Sequence, residues 1–302
     1  MFGDSHFHLS YLEERGIDLY ELFTQLYQNK VPFLLDIGTH CDDLFQRLGL
    51  ASKLIDAFSK DKEKEDALSI ASFIQERLYF AAGIWPHATS ILNREEELAV
   101  LSSAIRKCKK EGFENISPSH LIALGECGLD HHWNKAHFDG LGLKLRLEDF
   151  LAAEAEFFEM QLALAEKEAL PVLVHSRDAF EATLSCIKNM GYHRGIIHCY
   201  AYGIEEARAF LDLGWYISFS GSITYAKKNK LQAYEDLVRF IPSDRLLLET
   251  DAPYLAPGKY RGKVNTPALI GESYFFVSQA RAMSMEDLAL LVEKNMKDLF
   301  MI

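Results

Sequence analysis

Residues 171–199, PVLVHSRDAFEATLSCIKNMGYHRGIIHC, hold one full structural period of the chain. Pro171-Val172-Leu173-Val174-His175 is a short apolar, β-branched run, and Gly195-Ile196-Ile197-His198-Cys199 is another. Between them Ala179–Met190 has helical periodicity. A strand, a helix and a second strand in so short a stretch form a βα repeat.

Working outward, the same kind of run recurs near Gly3–Leu9, Pro32–Thr39, Leu78–Ile84, Leu121–Gly125, Trp215–Phe219 and Arg245–Thr250, which brings the strands to eight. Helical patterns lie between most of them, among them Leu151–Glu168, Ile204–Leu213 and Leu231–Phe240. Strand and helix alternating eight times predicts a single-domain (β/α)8 TIM-like barrel over residues 1–302, and such barrels take about 250 residues. The charge run Ser59–Asp66 reads as a solvated helix end or loop between strands 2 and 3. The long connection 131–149 follows strand 4, on the face where barrel loops carry function.

Six of the strand ends' residues are of metal-ligand type. His6 and His8 stand two apart on strand 1, so both point to one side along with Asp4. Glu126, His175, His198 and Asp251 each close an apolar run. Ionisable groups at the edge of a packed core need partners, and a barrel that gathers these strand ends on one face predicts a two-metal site. Mixed imidazole and carboxylate ligation is compatible with Zn²⁺, Mn²⁺ or Mg²⁺ and leaves the choice open.

Composition narrows the function classes. Hydrophobic residues make up 49% and charged residues 25% of the chain, which predicts a globular core. The net charge of −12 speaks against coating nucleic acid by broad phosphate neutralisation, yet is compatible with a nuclease whose cations make the site locally positive. The five cysteines, Cys41, Cys108, Cys127, Cys186 and Cys199, lack CxxC spacing, as expected of free thiols in a reducing compartment. The opening residues have no signal-peptide pattern and no apolar run reaches membrane-span length, so the expectation is a cytoplasmic protein with no membrane contact. No obligate protein partner is evident.

The ordered motifs DSHFHL (residues 4–9), GECGLD (125–130), PVLVHSRDA (171–179), GIIHCY (195–200), YISFSGSIT (216–224), LLLETDAPYLAP (246–257) and RGKVNTP (261–267) resemble those of the TatD family of metal-dependent deoxyribonucleases, within the amidohydrolase-like barrels. The resemblance covers nearly the whole chain. It implies that His6, His8 and Asp251 hold one metal, that His175 and His198 hold another, and that Glu126 bridges them. It also implies hydrolysis of phosphodiesters in DNA, on single strands or from 3′ ends, with Asp251 and Glu126 catalytic.

Arg177, two residues beyond His175, is the expected phosphate contact, since its planar fork matches phosphate oxygens. Basic clusters follow strands 7 and 8, and from them Lys228, Lys230, Arg261 and Lys263 are expected to meet the DNA backbone. The chain departs from the family pattern in two places. Trp85 stands where members commonly carry histidine, which makes it a candidate platform for an unpaired base. His131 and His132 stand where aromatics are usual. Two other readings stay open at this stage: amide or ester hydrolysis by the same bimetal chemistry, and a non-catalytic binding protein that retains the fold.

Overall fold

The protein is described here by a computed structural model covering residues 2–227 and 229–302, so the expected contact Lys228 lies outside the described residues. Eight strands form one parallel sheet in chain order: β1 Asp4–Phe7, β2 Leu34–Ile37, β3 Leu78–Ala82, β4 Leu121–Asp130, β5 Val172–Arg177, β6 Gly195–Ile197, β7 Tyr216–Phe219 and β8 Leu246–Leu248. The sheet closes where His8 N donates to Ala252 O at 2.8 Å and Asp251 N donates to His6 O at 2.9 Å. Helices cover the outside, so strands such as β6 and β8 are buried on both faces and read as continuous apolar runs instead of alternating ones. The single-domain TIM barrel expected from the alternation is what the chain forms.

The outer helices pay for their order through one apolar stripe each. The helix Leu19–Gln28 buries Leu19, Leu22, Phe23 and Leu26, the spacing of one face, and the Asp18 side chain accepts from Glu21 N at 3.1 Å to cap it. Each such side chain contributes about 1.5–3 kcal/mol of transfer free energy. The helix Leu147–Glu168 adds two buried polar residues seven positions apart, Glu154 and Gln161, on its inner face. Gln161 Oε1 accepts from Ile84 N at 2.9 Å, and its Nε2 donates to Ile84 O at 3.0 Å. Glu154 Oε1 accepts from Asp130 N at 2.8 Å. One helix thereby fixes the chain just beyond β3 and the last residue of β4.

Strand ends differ from the sequence expectation for identifiable reasons. β4 runs to Asp130 instead of stopping at Gly125, so Glu126 lies within the strand. Its glycines look like turn signals, yet they permit close pairing: at Gly128, φ +141°, an added Cβ would come within 2.0 Å of His175 O. Conversely β6 and β8 stop short of Cys199 and Thr250 because side chains take those amides. Cys199 N donates to Glu249 Oε1 at 2.6 Å, and Thr250 N donates to Asp4 Oδ1 at 2.9 Å. The charge run Ser59–Asp66 falls at the end of the helix Leu44–Lys60 and in the turn before the helix Ala67–Arg77, as expected. No helix among the described residues is long and apolar enough to cross a membrane.

A buried ion network sits beside the β1 and β2 ends. Arg47, 1% exposed, donates from Nη1 to Asp36 Oδ2 at 2.6 Å, from Nε to Asp43 Oδ1 at 3.1 Å and from Nη2 to Ala81 O at 2.8 Å. Asp36 Oδ1 in turn accepts from Leu9 N at 2.7 Å, where the chain leaves β1. Arg47→Ala strands the Asp36 carboxylate without its cation and is expected to cost about 3–5 kcal/mol in urea unfolding; a loss below about 1 kcal/mol would show that the network carries little.

Candidate metal centre

Because all eight strands point the same way, their C-terminal ends share one rim, and the ligand-type residues converge there. Glu126 Oε2 lies 3.2 Å from His6 Nε2 and 3.0 Å from His198 Nε2. His6 Nε2 and His8 Nε2 are 3.3 Å apart. Asp251 Oδ1 lies 3.6 Å from each of those two nitrogens. On the other side His175 Nδ1 is 3.2 Å from His198 Nε2. The structure thus brings all six nominated residues into one cluster.

Two groups of donor atoms have metal-binding spacing: His6 with His8 and Glu126, and Glu126 with His175 and His198. A third group, His6 with His198 and Glu249, draws in a residue the sequence reading passed over. The chemistry of these donors fits divalent cations. Glu126 Oε2 is buried and accepts no hydrogen bond, although two imidazole nitrogens lie close by. Two of the rings are hydrogen-bonded from behind, as metal-holding histidines usually are, and a third has a carboxylate nearby. His8 Nδ1 lies 3.1 Å from Ile37 O, His175 Nε2 lies 3.0 Å from Asp130 Oδ2, and His198 Nδ1 lies 3.4 Å from Glu249 Oε1.

The charge balance of the cluster follows from burial and contact. Burial pushes the Glu126 carboxyl upward, but His198 and His6 outweigh it and hold it well below the usual range. His198 is raised well above an ordinary imidazole, because Glu126 and then Glu249 overcome its burial. His6 is lowered, chiefly by burial and by His198. A fixed negative oxygen flanked by imidazoles is a pre-formed anionic ligand. Two of the nearby residues have left-handed backbones, Asp251 at φ +57° and Cys199 at φ +46°, a conformation that costs energy in non-glycine residues and recurs at functional sites.

Above the cluster opens a cavity of about 940 Å³, bordered by His8, Glu126, His175, His198 and Asp251 and also by Trp85 and Arg177. Trp85 packs edge-on against the His175 ring, with centroids 5.6 Å apart. The other expected DNA contacts are elsewhere: Lys230, Arg261 and Lys263 do not line this cavity. Arg261 stacks over Tyr225, and Lys263 lies 5.9 Å from the Tyr260 ring centre. His132 borders the cavity, whereas His131 does not line it and has its Nε2 3.5 Å from Glu154 Oε2.

Sequence reasoning missed Asp130, Glu249 and Asn265. Asp130 closes β4 as Glu126 seemed to, and Glu249 interrupts the apolar run Leu246-Leu247-Leu248; an ionisable residue in either place was the available signal. Buried Asn265, in RGKVNTP, donates from Nδ2 to Thr250 O at 2.9 Å and Tyr254 O at 2.7 Å, so it shapes the loop that carries Asp251.

A parallel barrel with a histidine and carboxylate cluster at the C-terminal strand ends has the architecture of a metal-dependent hydrolase. The profile of the family described as TatD related DNase matches residues 3–301, and the chain belongs to that family. The Bacillus subtilis protein described as uncharacterized metal-dependent hydrolase YabD is 30% identical over 308 residues, covering 100% of both chains. A Rahnella protein described as 3'-5' ssDNA/RNA exonuclease TatD is 29% identical over 258 residues, covering 83% of this chain and 88% of its own. Among solved structures, the TatD homologue YjjV from Escherichia coli K12 superimposes with a TM-score of 0.75 at 23% identity, covering 100% of this chain and 98% of that one. The last comparison establishes the shared fold.

One buried carboxyl near the cluster gives a pH test. Glu154 is pushed up to about 7 by burial, against hydrogen bonds from Asp130 N and Asn134. Its folded value lies above the unfolded one near 4.5, so ionisation costs stability progressively as pH rises from the unfolded value through the folded one. Glu154→Gln keeps an acceptor for both donors and removes that cost. The variant is expected to gain about 1–3 kcal/mol on the wild type between pH 4.5 and pH 8; a stability difference independent of pH would exclude Glu154 ionisation as its source.

Proposed function

We propose that this protein is a two-metal phosphodiesterase acting on DNA, with single strands or 3′ ends as its substrates. The observation that carries the reading is the single oxygen Glu126 Oε2, 3.2 Å from His6 Nε2 and 3.0 Å from His198 Nε2, which stands between two groups of donor atoms at the floor of an open cavity. In this reading His6, His8 and Asp251 hold one cation, His175 and His198 hold the second, and Glu126 belongs to both. Two such cations would acidify a water and neutralise charge on a phosphoryl oxygen.

The remaining steps belong to the chain's own groups. Asp251 borders the cavity, so its carboxylate can take the proton that the attacking water releases. Asp130 and Ile37 O orient the His175 and His8 rings. Arg177, exposed at the end of β5 and lining the cavity, offers paired N–H groups to a phosphate beside the scissile one. Trp85 offers an aromatic face next to His175. A relative described as a 3'-5' ssDNA/RNA exonuclease supports nucleic acid as the substrate class.

The direct test is metal-depleted protein reconstituted with Zn²⁺, Mn²⁺ or Mg²⁺ and incubated with end-labelled single- and double-stranded oligonucleotides, alongside a panel of amides and lactones. A ladder shortening from the 3′ end is expected, and turnover of the amide panel alone would overturn the reading. Asp251→Asn removes a negative ligand and the proton acceptor together, and is expected to lower kcat by about 10²- to 10⁴-fold with the fold intact. Near-normal kcat with full metal content would remove Asp251 from the mechanism.

His175→Ala and His198→Ala are expected to lower bound metal from about two per chain toward one, because they act on one of the two groups. Atomic emission analysis of the purified variants reads this directly. Complete loss of metal from both variants alike would leave a single indivisible site.

A further inference from the structure

The short helix His131–His137 lies at the rim of the cavity and is held by polar contacts from three directions. Asp130 Oδ1 accepts from Trp133 N at 2.6 Å and caps the helix, while Asp130 Oδ2 lies 3.0 Å from His175 Nε2. Buried Asn134 donates from Nδ2 to Pro86 O at 3.1 Å and to Glu154 Oε1 at 2.7 Å, which ties the helix to the loop carrying Trp85. His132 Nδ1 lies 2.9 Å from Asp178 Oδ2, next to Arg177. Amid these restraints Trp133 borders the cavity with 50% of its surface exposed, its indole stacked on His137 at 3.9 Å and 24°.

A tryptophan serving the core would be hidden. One left half in water, yet fixed through its backbone cap, its helix neighbours and a stacked imidazole, has already paid the ordering entropy that binding a flat partner would otherwise require. The same cavity holds Trp85, Arg177 and the donor cluster, so it offers aromatic faces and groups suited to phosphate together. A nucleotide chain with unpaired bases matches both, whereas a duplex keeps its base faces stacked inside.

We propose that Trp133 is a base-stacking residue that selects substrates with an unpaired base next to the scissile phosphate, and that Asn134 is its positioning residue. This rests on the phosphodiesterase reading and specifies its substrate. Stacking on an indole is tolerant of sequence, because every base has a π-face, so the selection is for strandedness.

The test compares two fluorescein-labelled, hydrolysis-resistant phosphorothioate octamers of equal charge, one an octathymidylate and one abasic throughout, bound by the metal-reconstituted protein and followed by anisotropy. Wild type is expected to prefer the octathymidylate. Trp133→Ala weakens that complex by roughly 5- to 100-fold, leaves the abasic complex within about twofold, and keeps metal content unchanged; Trp133→Phe falls between. Asn134→Ala reproduces the selective loss with wild-type metal content. Equal wild-type affinity for the two octamers, or equal weakening of both by Trp133→Ala, overturns the proposal. If unmodified oligonucleotides are not cleaved with any metal while an amide or lactone is, the phosphodiesterase reading fails first; cleavage without preference for base-bearing strands overturns the stacking role alone.

Discussion

The site is organised by one buried carboxylate oxygen that several imidazoles approach. Glu126 Oε2 sits on β4, His6 on β1 and His198 just after β6, so the contact spans the barrel's interior instead of joining neighbouring strands. Strands that are not adjacent meet only when the barrel is closed, and closure runs through the backbone of the same residues, from His8 N to Ala252 O and from Asp251 N to His6 O. Assembly of the donor cluster and closure of the fold are therefore one event. The low-dielectric surroundings make the arrangement demanding: each buried ring or carboxylate needs an opposite charge or a hydrogen bond within reach.

That demand explains the layer of polar residues beneath the cluster. Asp130, Glu249 and the Ile37 carbonyl stand behind His175, His198 and His8, and each of the two carboxylates has a second task. Glu249 also takes Cys199 N, and Asp130 also caps the next helix. Asp4, at the start of β1, accepts from Thr250 N and from the Thr250 hydroxyl, and burial pushes it up to about 7. The strand ends are thus shaped by side chains that replace ladder partners, which is why regular pairing ceases where the chemistry begins.

The fold and the six convergent residues were legible in the sequence because both depend on repetition. Eight apolar runs alternating with helical stretches define a barrel, and a ligand-type residue after a run needs only the parallel topology to reach the shared rim. The supporting layer was not legible for a physical reason: it depends on which buried amide goes unpaired, and that is known only once register is fixed. The Gly125 and Gly128 positions illustrate it. In sequence they resemble a turn, but in the barrel they let β4 pass so close to β5 that Gly128 faces His175 without a Cβ, and the strand carries on to Asp130. The basic residues after strands 7 and 8 pose a different question, one of side-chain reach. Position on the correct face does not fix reach, and Arg261 spends its guanidinium over Tyr225 instead of lining the cavity.

The two sides of the rim therefore differ in kind. Past β8 Arg261 packs over Tyr225 and Lys263 lies by the Tyr260 ring, while past β3, β4 and β5 the chain carries aromatic and polar groups joined to the buried layer. Asp130 divides its two oxygens between His175 and the amide of Trp133, and Glu154 supports Asp130 and Asn134 with one oxygen. A rim helix that rotated would pull on the carboxylate orienting a candidate ligand, so the mouth and floor of the cavity cannot move independently. Gln161, two turns further along the same helical face as Glu154, extends the same constraint to Ile84 and hence to the loop bearing Trp85. A single long helix, through two buried polar side chains, thus sets where both indoles stand relative to the donor cluster, and it does so at the cost of a carboxyl that burial holds near pH 7.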